Sequence, residues 1–196
     1  MTNIVSTIDR VWFYAIAALT FVLLGLAAET VARNRLPGAH QDGERHFLSI
    51  LRDRQAQENQ PDAVVTAIER LGGMRSVAAI DDLINLITFK RTLPEQATPS
   101  SPIQGGLPKG TMSVYPATAA LFHIGEPALP ALIAVIEASD AEALESQNAL
   151  YTVMAIFREN RKAGVDYLEK AANQAKSTEG ASNLLRAAQR ARSFLL

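Results

Sequence analysis

The stretch Tyr115–Glu137, YPATAALFHIGEPALPALIAVIE, decides the fold. Two short apolar runs flank a Gly-Glu-Pro turn. Ala117, Ala120, Leu121 and Ile124 in the first run, and Leu129, Leu132, Ile133 and Ile136 in the second, recur every three or four residues, the spacing that gathers side chains on one face of a helix. Neither run can sustain a helix alone, because about ten residues do not offset the cost of nucleation unless an apolar face is buried. The unit therefore predicts neighbours. Between Ala117 and Ile136 only His123 and Glu126 are ionisable, the composition of a unit covered on both sides.

Working outward, the preceding sequence supplies a sister unit. Pro61 suits a first helical position, where its missing N–H would be unpaired anyway, and Ala63, Val64, Ala67, Ile68 and Leu71 form a helical stripe. Gly72-Gly73 is expected to end that helix through a left-handed glycine. Ser76 is placed to cap the next one, which carries Ile80, Leu83, Ile84 and Ile87 up to Phe89. Asp81 and Asp82 read as a solvated face at its start. Both AIERLGGMRSVAAIDDLINL (67–86) and AALFHIGEPALPALIAVI (119–136) run from a short helix through an aliphatic residue and glycine into a second helix that opens with small residues. This is an internal repeat.

A looser copy follows. Ser139 and Glu142 have capping-box spacing, and Leu144, Leu150, Val153, Met154 and Phe157 stripe a long helix. A charged break at Arg158–Gly164 precedes a helix over Val165–Lys176, and a last one spans about Glu179–Leu195. Arg186, Arg190 and Arg192 crowd the outer side and last turn of that helix, where cations are favoured, so it suits a polar cap closing a stack. Upstream of Pro61, Arg45–Glu58 reads as an amphipathic first helix bearing Phe47, Leu48 and Leu51.

The segments RLGGMRSVAAIDDLINLI and ALFHIGEPALPALIAVI resemble HEAT repeats of the short, bacterial, phycobilisome-lyase-like type. The resemblance covers Pro61–Phe89 and Tyr115–Ala138, and more weakly Glu145–Lys176. It implies an all-α fold, a short α-solenoid of antiparallel helix pairs, whose usual work is to hold another macromolecule. It implies no catalytic residues. Some relatives attach or detach bilin chromophores, but the repeat motif carries none of that chemistry. Unlike contiguous repeats, these are interrupted over 90–114, where KRTLPEQATPSSPIQGGLPKGTMSV holds four prolines and three glycines. No helix or strand is expected to persist through it. A loop of this length is either a tolerated insertion or a functional one. For the functional case, Lys90, Arg91 and Tyr115 at its two ends are the expected partner contacts.

The N-terminus speaks to compartment. Val11–Ala28 has no charged side chain, and its length falls between a signal-peptide core of about 7–15 residues and a spanning helix of about 20. Small residues at Gly25-Leu26-Ala27 and Thr30-Val31-Ala32 fit a cleaved signal peptide. Trp12 and Tyr14 at one end, and Arg33 and Arg35 at the other, fit a retained membrane anchor. A buried core helix is a third reading. Residues 1–28 are thus a signal peptide or transmembrane helix, 29–44 a linker, and 45–196 the helical-repeat domain. The leading readings place that domain outside the cytoplasm, periplasmic, secreted or membrane-anchored.

Bulk properties narrow the function classes. The chain has 196 residues, 48% hydrophobic and 20% charged, with 19 basic against 20 acidic residues and a formal net charge of −1. One domain is the default, and the charge balance lacks the footprint of a nucleic-acid binder. Cysteine is absent, which removes disulfides, thiol nucleophiles and thiolate metal sites. His40, His46 and His123 have no helical pairing that would make a metal site. Gly105, Gly106, Lys109 and Gly110 lack P-loop spacing. No catalytic, cofactor-binding or metal-binding residue is assigned. The expectation is a non-catalytic protein–protein interaction or scaffold module with a protein partner and no cofactor. The alternative is an enzyme or enzyme-maturation factor with a cleft under the 90–114 loop.

Overall fold

The computed structural model describes residues 37–92 and 110–194. The hydrophobic segment 1–28, the first part of the linker, most of the 90–114 insertion and the final Leu195 and Leu196 lie outside the described residues. Those described are helical, with no strand among them: α1 Pro37–Arg52, α2 Arg54–Asn59, α3 Pro61–Met74, α4 Ile80–Asn85, α5 Thr111–Val114, α6 Pro116–Ile124, α7 Leu129–Ala138, α8 Leu144–Ile156, α9 Arg161–Gln174 and α10 Thr178–Arg192. The all-α expectation holds. Glu44–Leu196 forms one compact unit.

The two units expected from the sequence each turn through a positive-φ residue ahead of a 3-10 turn, with different ψ, 42° at Arg75 and −140° at Gly125. After α3, Arg75 turns left-handed at φ 53° and a 3-10 turn over Val77–Ala79 leads into α4. After α6, Gly125 turns at φ 83° and a 3-10 turn over Glu126–Ala128 leads into α7. Both turns end on an alanine with no exposed surface, Ala79 and Ala128. Within this frame α3 packs on α6 and α6 on α8, while α4 lies against α6 and α7. α7 packs on α8 and α10, and α9 on α10 and α8. One contiguous core results, with Ile68, Leu71, Leu83, Leu121, Leu132 and Ile136 almost wholly out of solvent. The stretch Tyr115–Glu137 contributes Ala117, Leu121, Leu132 and Ile136 to it, none with exposed surface.

Several local readings need correction. Gly72-Gly73 does not end α3, which continues to Met74. Gly72 is instead a contact point, since a Cβ added there would stand 2.7 Å from the Cα of Ala120 on α6. Ser76 caps nothing with its side chain; its hydroxyl donates to Glu44. The Ser139–Glu142 capping box does not form, because α8 starts only at Leu144 and Asp140 Oδ1 takes the Glu142 N–H at 2.9 Å. The first helix divides at Asp53, whose carboxylate accepts from the Gln55 and Ala56 N–H groups and so opens α2. Gly164 is no break: α9 begins at Arg161, capped by Asn160, and buries Gly164 against Phe157 and Met154.

Two boundaries also shift. The linker expected over 29–44 is helical from Pro37, a residue whose missing N–H costs nothing in a first turn. At the far end of the insertion, Thr111–Val114 already forms a helical turn. Asp82 is not a solvated carboxylate either. Its side chain is 16% exposed and accepts from Arg52 Nε at 3.0 and 3.2 Å, fastening the end of α1 to the first turn of α4. Hydrogen bonding to Asp82, then its charge, raises the Arg52 pKa above the ordinary arginine value.

No single described helix is long and apolar enough to cross a membrane. Pro116–Ile124 and Glu126–Ala138 reach that length only together, bent by 115°. Their apolar faces supply the core just described.

Candidate functional site

The insertion leaves and rejoins the helical body at a closed neck. The Arg91 N–H donates to the Val114 carbonyl at 2.8 Å, so the two ends are tied by backbone. The Arg91 guanidinium also pairs with Glu69 on α3. Its Nε is buried without a hydrogen-bond partner. Around this pair opens a cleft of about 380 Å³ whose walls include Glu69, Gly73, Met112, Ser113, Pro116 and His123. The sequence folds this way locally because Tyr115, at φ −113° and ψ 89°, leaves the helical conformation between α5 and α6 and lets Pro116 open the latter. The Tyr115 carbonyl accepts from the Thr118 hydroxyl at 2.7 Å.

Of the three expected contacts, Arg91 alone lines this cleft. Lys90 is exposed beside it, and Tyr115 is half-buried next to Val114. Nothing in the sequence marks Glu69 or His123 as a site residue. Glu69 lies 22 positions from Arg91, and an acid on the outer face of an amphipathic helix gives no local signal. Among the described residues no group of three or more His, Cys, Asp and Glu side chains could hold a metal ion.

A second concavity runs between α4 and α7, the later helices of the two sister units. Ile84, Ile87, Ala131, Ala134, Val135 and Ala138 line an open groove of about 460 Å³, with Asp81, Ser139 and Glu145 completing its walls. Ile87 is buried at 3% exposure, whereas Ala134 and Ala138 face solvent. The groove is thus an apolar floor continuous with the core, flanked by two carboxylates. α4 packs directly on α7, and the small side chains at 131, 134 and 138 leave the space between them unfilled.

No protein-family model, curated protein or solved structure matches this chain.

Proposed function

We infer that the chain is a short HEAT-like α-solenoid that works as a non-catalytic protein–protein interaction or scaffold module. The observation that carries this reading is the α4–α7 groove, where two sister units place their later helices side by side and leave an open apolar floor between acidic walls. Such a surface fits an amphipathic partner segment that lays its apolar side into the groove and carries basic residues toward Asp81 and Glu145. The matching turns of the two units, each a positive-φ residue followed by a 3-10 turn, support the repeat reading. The uncharged N-terminal run supports export or membrane tethering of the module.

The test is pull-down by the full chain from the extracytoplasmic fraction, compared with Ala134→Glu and Ala138→Glu. Both positions are exposed, so the variants keep the fold while placing charge on the groove floor. Loss of a partner that the parent retains supports the reading, and retention by both variants removes the groove from it. Mass determination of the mature N-terminus separates an anchored module from a released one.

The cleft at the neck of the insertion favours the second reading, an enzyme or maturation factor, because Glu69, Arg91 and His123 line one concavity. Arg91 is committed to Glu69 and an arginine does not give up its proton, so His123 is the group left for proton transfer. A His123→Ala variant that abolished a measured reaction would move the assignment to this reading.

A further inference from the structure

The cleft between α8 and α10 is built from side chains that neither reading uses. Ala141, Glu142 and Ser146 form one wall, and Arg186, Gln189 and Arg190 the other, around about 330 Å³. Arg186 and Arg190 are one helical turn apart, so both leave α10 on the same side. Arg186 is held in position: its Nη2 donates to the Asn183 Oδ1 at 2.7 Å, and the Asn183 Nδ2 donates to the Glu137 carbonyl at 3.1 Å. Asn183 is itself buried, at 3% exposure.

Arg190 is the unfinished member. Its Nη1 is buried and makes no hydrogen bond, and its ion-pair partner, Glu142 Oε2, stands 3.6 Å away. The Arg190 side chain as a whole is 35% exposed, so the guanidinium can be reached from solvent while this nitrogen still lacks a hydrogen-bond acceptor. The Glu142 side chain is 79% exposed, so solvent holds it as much as the cleft does. Ser146, at 3% exposure, brings a hydroxyl to the same space. Among the charged residues of the walls, two arginines face one glutamate. One positive charge is left unmatched.

We propose that this cleft takes a carboxylate carried by an acidic side chain of a peptide, with Arg190 as its principal donor and Arg186 as a fixed second one. Glu142 is then an internal competitor that occupies the approach when no ligand is bound. A singly charged carboxylate neutralises the cleft, whereas a phosphate dianion would overshoot it. The planar fork of arginine suits carboxylate geometry. This proposal stands apart from the α4–α7 groove and does not rest on it.

The experiment titrates the full chain with an end-blocked tetraglutamate peptide at low salt, followed through the arginine side-chain N–H resonances, with inorganic phosphate and a tetraglutamine peptide as comparisons. Saturable binding of the glutamate peptide is expected, weakened about tenfold or more in Arg190→Gln, as for loss of one charge-assisted hydrogen bond. Arg192→Gln is expected to bind as the parent does, because Arg192 pairs with Glu169 instead. Glu142→Gln should bind more tightly than the parent. That variant alters an exposed side chain, so it reads the proposal even if Arg190→Gln does not fold. Unchanged or weaker binding in Glu142→Gln, equal loss in Arg192→Gln, or tighter binding of phosphate than of the peptide would overturn it.

Discussion

Asn148 Nδ2 donates to the Ile87 carbonyl at 2.9 Å, bridging 61 positions of sequence. Asn148 is 1% exposed, and the carbonyl it reaches lies just past α4, in the last turns where backbone acceptors run out of helical partners. Asn183 does the same for α7 by donating to the Glu137 carbonyl. Each sister unit is therefore closed by an asparagine from a later helix. Replacing Asn148 with alanine leaves a buried acceptor unpaired and is expected to cost about 1–3 kcal/mol, read as a lower urea midpoint at unchanged slope.

The neighbouring glycines of α3 should respond in opposite directions. Gly72→Ala would place its Cβ 2.7 Å from the Ala120 Cα and 2.8 Å from its Cβ, forcing α3 and α6 apart at a cost of about 1–3 kcal/mol. Gly73→Ala meets nothing within 4 Å and gains up to about 1 kcal/mol of helix propensity. Thermal unfolding of the two variants side by side checks this, and equal shifts would count against backbone contact as the reason for Gly72.

The two left-handed turns make a second opposed pair. Gly125, at φ 83° and ψ −140°, has open space around it, so Gly125→Ala tests backbone strain alone and is expected to cost about 1–3 kcal/mol. Arg75 adopts φ 53° and ψ 42° with a side chain present, and Arg75→Gly should relieve up to about 1 kcal/mol. Denaturant melts of both variants supply the signs.

Lys162 donates to Asp166 at 2.8 Å one turn further along α9. That hydrogen bond, followed by the Asp166 charge, raises the lysine pKa above its ordinary value. For a cation stabilised in this way, the contribution to folding is complete below the ordinary lysine range and fades as pH rises through the raised value. Direct titration of the Lys162 side chain by NMR should place its midpoint above that of an exposed lysine. Asp166→Asn should return it.

The fold class was legible because helical periodicity is written locally. The stripes at Ala63–Leu71, Ile80–Ile87, Ala117–Ile124 and Leu129–Ile136 each name a helix, and their order names two like units. What escaped were contacts between distant positions. Gly72 looks like a stop signal until Ala120 is set against it. Asp82 looks solvated until Arg52, 30 residues earlier, reaches it. Site residues divide the same way. Arg91 could be picked out because it flanks a proline-rich interruption, whereas Glu69 is one acid among many on a helix surface. Arg186 and Arg190 were visible as a basic face, but the buried Nη1 that makes one of them unusual is a property of packing.

The backbone bond between Arg91 and Val114 has an evolutionary consequence. The cost of closing a segment grows only slowly with its length, so residues can be gained, lost or exchanged between these joined ends without drawing Arg91 and Val114 apart. The neck acts as a socket: whatever the chain displays there can diversify while the scaffold stays as it is.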